Sequence, residues 1–155
     1  MCGIFTLINY NNTDLNVNYI SEQGQNGKGR GPDSNNQDIG KNISLAFYRL
    51  AINGLDKKSD QPLKYNNKVL ICNGEIYNYS RLYELSKIKS YTNSDCEVII
   101  HMYEKYGIDY TVKSLDGVFA FVLIDYDLNK IFVARDQFGV RPLFYLKDEN
   151  TDVNL

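Results

Sequence analysis

Hydrophobic positions along this chain follow two different periods, and the change from one to the other outlines the fold. Residues 2–9 (CGIFTLIN) read as a first strand. A polar, glycine-bearing stretch follows from 11 to 34, with only a weak helical pattern at 17–23 and a turn at Gly31-Pro32-Asp33. Two runs rich in β-branched and aromatic residues, 43–52 (ISLAFYRLAI) and 68–78 (KVLICNGEIYN), predict the next strands. The period then becomes helical. Leu82 and Leu85 lie three apart within 80–88, and Val98, Ile99, Met102, Tyr103 and Tyr106 share one face of a helix over 95–106. Residues 116–136 predict a hairpin turning at Asp127-Leu128-Asn129, and 118–124 are so uniformly apolar that both faces of that strand must be covered. Strands, two helices and strands again imply α+β layers rather than alternating βαβ units. No internal repeat or linker interrupts the pattern, which predicts a single domain over 1–155.

Composition narrows the function. With 43% hydrophobic, 23% charged and 13% aromatic residues, a collagen-like chain, a disordered tail and a disulfide-rich mini-protein are excluded. Seventeen basic against 19 acidic residues, a net charge of −2, give no footprint for nucleic acid, so a small molecule is the default ligand. No apolar run reaches the roughly 18 residues of a membrane span, and no secretory start is present, which predicts a cytoplasmic protein without membrane contact. Cys2, Cys72 and Cys96 are odd in number and widely spaced, fitting neither a disulfide framework nor metal knuckles. Cys72 and Cys96 read as small core residues. A single histidine, His101, adds to the expectation that no metal is bound.

Cys2 carries the candidate chemistry. Its position allows Met1 to be removed, leaving a residue with both a thiol and a free α-amine. An α-amine titrates near 7.7–8.0 and a free thiol near 8.5, so one accepts the proton of the other at neutral pH without a histidine. Taken alone, a cysteine in second position reads as an ordinary strand residue. Arg49, in an otherwise apolar run, either points outward on an alternating strand or lies buried and in need of an anionic partner. Asn73-Gly74 alone is the strongest short hairpin signal. Ser94 and Glu97 form an S-x-x-E capping box, which by itself explains Asp95 in the first turn of a helix.

Six segments change this balance: MCGIF at the start, RGPD at 30–33, YRLAI at 48–52, NGEIYN at 73–78, SDCE at 94–97 and LDGVFAFVLIDYDLNKIFVARDQFGVRPLFY at 115–145. In this order they resemble the glutaminase domain of glutamine-dependent asparagine synthetases, which are class II (N-terminal-nucleophile) glutamine amidotransferases. The resemblance runs from residue 2 to about 146. It implies an N-terminal-nucleophile sandwich, α/β/β/α with antiparallel sheets, incomplete at its C-terminus. It also implies roles. Cys2 is the nucleophile that expels ammonia from glutamine through a γ-glutamyl thioester, and Asn73 and Gly74 are oxyanion donors. Arg49 holds the substrate α-carboxylate through a bidentate fork, with the backbone of Leu50, Ala51, Ile52 and Asn53 lining the same pocket. Asp95 and Glu75 hold the α-ammonium group. The segment ARDQFGVRPLFY at 134–145 is a family marker to which no chemistry is assigned, and its Gly139 and Pro142 predict a turn before a last strand.

NGEIYN followed by SDCE is the asparagine synthetase version of the pattern. The expected partner is therefore a separate or downstream synthetase domain, and ATP and magnesium are implied only there, since no SGGxDS pyrophosphate loop is present. The chain departs from the family at Gly29 and at Phe47 or Tyr48, where histidines are usual. Three alternatives remain: a catalytically inactive remnant acting as a binding module, the glutaminase of another class II amidotransferase, and a thiol-dependent hydrolase of another amide.

Overall fold

The computed structural model describes residues 1–9 and 14–146. The opening of the polar stretch at 11 and the chain after 146 lie outside the described residues. Among the described residues, seven strands form two antiparallel sheets. β1 (Gly3–Ile8), β2 (Ser34–Ile39) and β3 (Ile43–Arg49) make a sheet in the order β1-β3-β2. β4 (Leu63–Tyr65), β5 (Lys68–Ile76), β6 (Gly117–Asp125) and β7 (Lys130–Arg135) make the second in sequential order.

The two-residue alternation of each strand decides what the sheets bury. Ile43 and Leu45 of β3 meet Val69 and Ile71 of β5 and Val122 and Ile124 of β6 between the sheets. Ala46 and Tyr48, on the other face of β3, lie against α1 (Val17–Gln25) and the turn after it, at Gly24 and Gly27. Cys72, Phe119, Phe121 and Leu123 face the opposite way, into a core completed by α2 (Tyr79–Ser86) and α3 (Val98–Tyr106), against which α4 (Ile108–Ser114) packs. The layers are therefore α/β/β/α, an α+β sandwich. β6 lies between β5 and β7 with both faces covered, which is why 118–124 carry no polar position. No helix among the described residues is long and apolar enough to cross a membrane.

The structure departs from the sequence pattern at several points. β2, with the sequence SNNQDI, has almost no apolar signal and forms because the open edge of β3 supplies backbone partners in register from Ser34–Arg49 to Ile39–Ser44. The helix expected over 95–106 begins as a 3-10 turn, Asp95–Glu97, before α3. Asn73-Gly74 is no turn at all: both residues lie inside β5, opposite Ala120 and Phe119. Gly74 is required there, since a Cβ would stand 2.5 Å from the Val118 carbonyl oxygen and 2.7 Å from Phe119 Cα. Residues 142–146 form no strand.

Candidate active site

The chain's N-terminus and the two sheets converge on one small pocket. Cys2 immediately precedes β1, Arg49 ends β3, Asn73 to Glu75 lie near the end of β5, and Asp95 opens the 3-10 turn before α3. Cys2, Arg49, Leu50, Ile52, Asn53, Asn73, Gly74, Glu75 and Asp95 all line it. Ala51 does not; its N–H is turned to the Asp33 carboxylate at 2.7 Å, which fixes the loop between Arg49 and Asn53.

Cys2 is half-buried. Its sulfur receives the Leu50 N–H at 3.4 Å and lies 3.5 Å from the Leu50 carbonyl oxygen. Burial pushes the thiol above its ordinary value, while the Leu50 N–H and the nearby chain terminus pull it back. Arg30 Nε donates to the Cys2 carbonyl at 3.3 Å, which fixes the start of β1. Met1 is itself part of the wall of this half-open pocket, whose free volume is ≈ 40 Å³.

Asn73 and Gly74 present donors from two directions. Asn73 occupies an odd position of β5, the set that faces the other sheet, and its side-chain amide bonds to no other described residue. Gly74 is paired with Phe119, whose N–H and C=O both bond to Asp136, at 3.2 and 2.8 Å. The Phe119–Gly74 pair is thus a non-hydrogen-bonded one, and the Gly74 N–H points away from β6. On that same edge the Cys72 N–H is taken by Gln61 Oε1 at 2.6 Å and the Ile76 N–H by Asp95 Oδ2 at 2.7 Å. The Gly74 N–H stands between these two, without an acceptor among the described residues.

Arg49 resolves the choice left open by its strand position. It faces inward and is 7% exposed. Its Nη1 donates to the Asp56 carbonyl at 3.1 Å and to the Asp60 carboxylate at 2.5 Å, and its Nη2 donates to the carbonyls of Asn53 and Gly54. Of five guanidinium N–H groups only Nε–H remains. The bidentate fork expected for a substrate carboxylate is therefore not available from Arg49 in this arrangement, because the loop over 53–60 already occupies it.

Asp95 is buried, and burial raises its carboxyl above the usual range against the Ile76 N–H bond, with the neighbouring Glu75 charge adding to the rise. A cation placed between Asp95 and Glu75 would relieve both effects. Asn53 Nδ2 reaches Glu75 Oε1 at 3.4 Å. The capping box does not form. The Ser94 side chain makes no cap hydrogen bond, and the Glu97 carboxylate instead accepts the N–H groups of Tyr91 at 2.8 Å and Thr92 at 2.7 Å.

Four features escape a reading of the sequence. Cys72 and Cys96 reach the pocket wall rather than lying only in core. Gln61 clamps the Cys72 backbone with both ends of its amide, at 2.6 and 3.1 Å, directly before Asn73. Asp136 accepts N–H bonds from Phe119, Phe138, Val140 and Arg141 at 3.0–3.2 Å. Arg141, placed by that turn, lines the pocket with a buried Nε that has no partner among the described residues. Both Asp136 and Arg141 lie in the marker segment at 134–145, so the signal was visible but its geometry was not. Among the described residues no group of three His, Cys, Asp or Glu side chains is arranged to hold a metal ion.

Burial pushes the Asp136 carboxyl up, but the four N–H donors outweigh it and hold the group below its ordinary value. Its contribution to stability is therefore complete above the unfolded carboxyl value near 3.9 and is lost as pH falls through the lowered folded value. Asp136→Asn is expected to destabilise the protein by about 2 kcal/mol at neutral pH. Thermal melts against pH check this: the gap between wild type and variant closes only in strong acid.

The glutamine amidotransferase domain family matches residues 1–155. The chain is 40% identical over 157 aligned positions to an asparagine synthetase (glutamine-hydrolyzing) of Mesocricetus auratus and 39% identical to that of Homo sapiens, each match covering 97% of this chain. It is 36% identical over 150 positions to a probable asparagine synthetase (glutamine-hydrolyzing) of Acanthamoeba polyphaga mimivirus, covering 94% of this chain. The chain spans about a quarter of the length of these relatives, 27% in each case. Because the family match runs from the first residue to the last, the chain belongs to the glutamine amidotransferase domain family.

Proposed function

We propose that this domain hydrolyses glutamine to glutamate and ammonia with Cys2 as an N-terminal nucleophile. The observation that carries the reading is the placement of the Cys2 sulfur in one pocket with Asn73 and the unpaired Gly74 N–H. Once Met1 is removed, the α-amine takes the thiol proton, and the thiolate attacks the carboxamide carbon. The oxygen of the tetrahedral intermediate is stabilised by Asn73 Nδ2 and the Gly74 N–H. The amide nitrogen leaves as ammonia with the returned proton, and water then cleaves the thioester, regenerating the thiol. Asp95 and Glu75 hold the α-ammonium group. Arg49 shapes the loop of Leu50, Ala51, Ile52 and Asn53 and offers Nε–H to the α-carboxylate. Removal of Met1 also matters sterically, because Met1 forms part of the pocket wall beside Cys2.

The nitrogen is destined, on this reading, for amidation of aspartate by a synthetase domain elsewhere in the same or a partner polypeptide, where ATP and magnesium enter. The likeness to asparagine synthetases supports this acceptor. Three free cysteines, one of them the nucleophile, suit a reducing cytoplasm. The test is mass spectrometry of the purified protein before and after treatment with a glutamine-shaped alkylating analogue. The expected result is a chain lacking Met1 that gains one adduct, on Cys2, suppressed by excess glutamine. Retention of Met1 with no protectable adduct overturns the proposal in favour of a non-catalytic binding module.

A further inference from the structure

Behind the pocket wall lies a buried polar cluster that the proposed reaction does not use. His101, on the second turn of α3, sits within 2.8 Å of Glu97 through Nε2 and Oε1, and both residues are buried. Besides the Tyr91 and Thr92 N–H groups, the Glu97 carboxylate accepts the Thr92 hydroxyl through Oε2. That hydroxyl in turn accepts the Ser94 N–H at 3.1 Å. A continuous run of hydrogen bonds therefore joins the α3 interior to the residue immediately before Asp95. The rings of Tyr65, Tyr83 and Tyr91 surround the imidazole at centroid distances of 4.5, 6.1 and 5.8 Å and close it off from water.

A carboxylate buried at this depth is costly unless its lone pairs are filled. Here they are filled by two backbone N–H groups and the Thr92 hydroxyl of one loop and by one imidazole, so the loop and helix α3 are locked in a single relative position. Asp95 follows that loop directly, and its free choice is further reduced by the Ile76 N–H on β5. We propose that His101 and Glu97 are positioning residues that set where the Asp95 carboxylate stands in the pocket, and hence the recognition of the substrate's α-ammonium group. This rests on the reading of Asp95 as the ammonium partner.

The experiment is calorimetric binding of glutamine and of glutaramate, the same amide without the α-amino group, to the Met1-processed protein in a Cys2→Ala background, where turnover is abolished. His101→Leu should lower the preference for glutamine over glutaramate about ten-fold, the factor expected when one charge-assisted hydrogen bond is broken. His101→Gln, whose amide keeps a donor for Glu97, should restore it to within about two-fold. Equal weakening of both ligands, or a lower Tm with the preference intact, overturns the inference. Asp95→Asn separates the two levels. If it leaves the preference unchanged, the reading of Asp95 fails and takes this inference with it. If it lowers the preference and His101→Leu does not, Asp95 stands and the positioning role falls. Should His101→Leu not fold, Thr92→Val removes the hydroxyl between Glu97 and Ser94, and the same preference decides.

Discussion

Replacing Cys2 by alanine is expected to lower glutamine-dependent ammonia release by three orders of magnitude or more while leaving Tm within a few degrees of wild type. The asymmetry follows from what the sulfur does. Its contacts within the chain are two weak approaches to the Leu50 backbone, at 3.4 and 3.5 Å, so its loss leaves only a small void beside a half-exposed position. Chemistry has no ready replacement, because the Cys96 thiol in the same pocket wall is fully enclosed, and its contact with Cys72, burial and the Asp95 charge hold it well above the ordinary value. Processing sharpens the same prediction. With Met1 in place, burial keeps the Cys2 thiol protonated to higher pH, so its alkylation rate climbs only above the range of a free thiol. Removal of Met1 places a free α-amine beside the sulfur, and the midpoint of the alkylation profile should move down. An unchanged midpoint in the processed chain, with ammonia release surviving Cys2→Ala, would assign the chemistry to another group.

Asn73→Ala carries the second largest effect, a fall of about 10²–10³ in kcat with KM for glutamine changed only a few-fold. In the proposed reaction the donor serves an oxygen that is fully charged only in the tetrahedral intermediate, so its loss is expected to be felt in turnover more than in binding. The residual rate comes from the Gly74 N–H, which is backbone and survives the substitution. Steady-state kinetics distinguish this from a collapsed pocket, in which KM would rise in step with the loss of kcat. The neighbouring Gln61 clamp on Cys72 and the ladder to β6 hold the β5 backbone whatever side chain stands at 73, so the fold should be retained.

Much of this site was legible in the residues, but unevenly. Cys2 stood out as a candidate because a thiol beside a free terminal amine needs no other base, a property local to one residue, and the structure places it in the pocket. Asn73-Gly74 pointed two ways, since the dipeptide that favours a hairpin also fits a strand where the neighbouring backbone leaves no room for a Cβ. Only the approach of Val118 and Phe119 separated the two. An inward Arg49 was one of two options open to its strand, but its partners were invisible. Asp60 and the carbonyls of 53–56 come from a loop with no periodicity to read. The capping box failed for a related reason: the glutamate one turn before His101 on a buried face finds a better donor set in its own helix and the preceding loop than at Ser94.

Local pattern alone determined that this protein is layered α+β and which runs form its buried strands, and it made Cys2 the candidate for the proposed chemistry. Those follow from side-chain periodicity and from groups adjacent in the chain. Tertiary structure decided the rest: that polar β2 is a strand, that the Gly74 N–H is unpaired, that Arg49 is already engaged, and that Asp136 and Arg141 belong to the pocket. Each depends on hydrogen-bond partners that no periodicity marks, and a backbone N–H carries no sign in the sequence of whether its acceptor will be present. The physical reason is that burial makes most polar groups find a partner, while the identity of that partner is settled only when the sheets and helices meet.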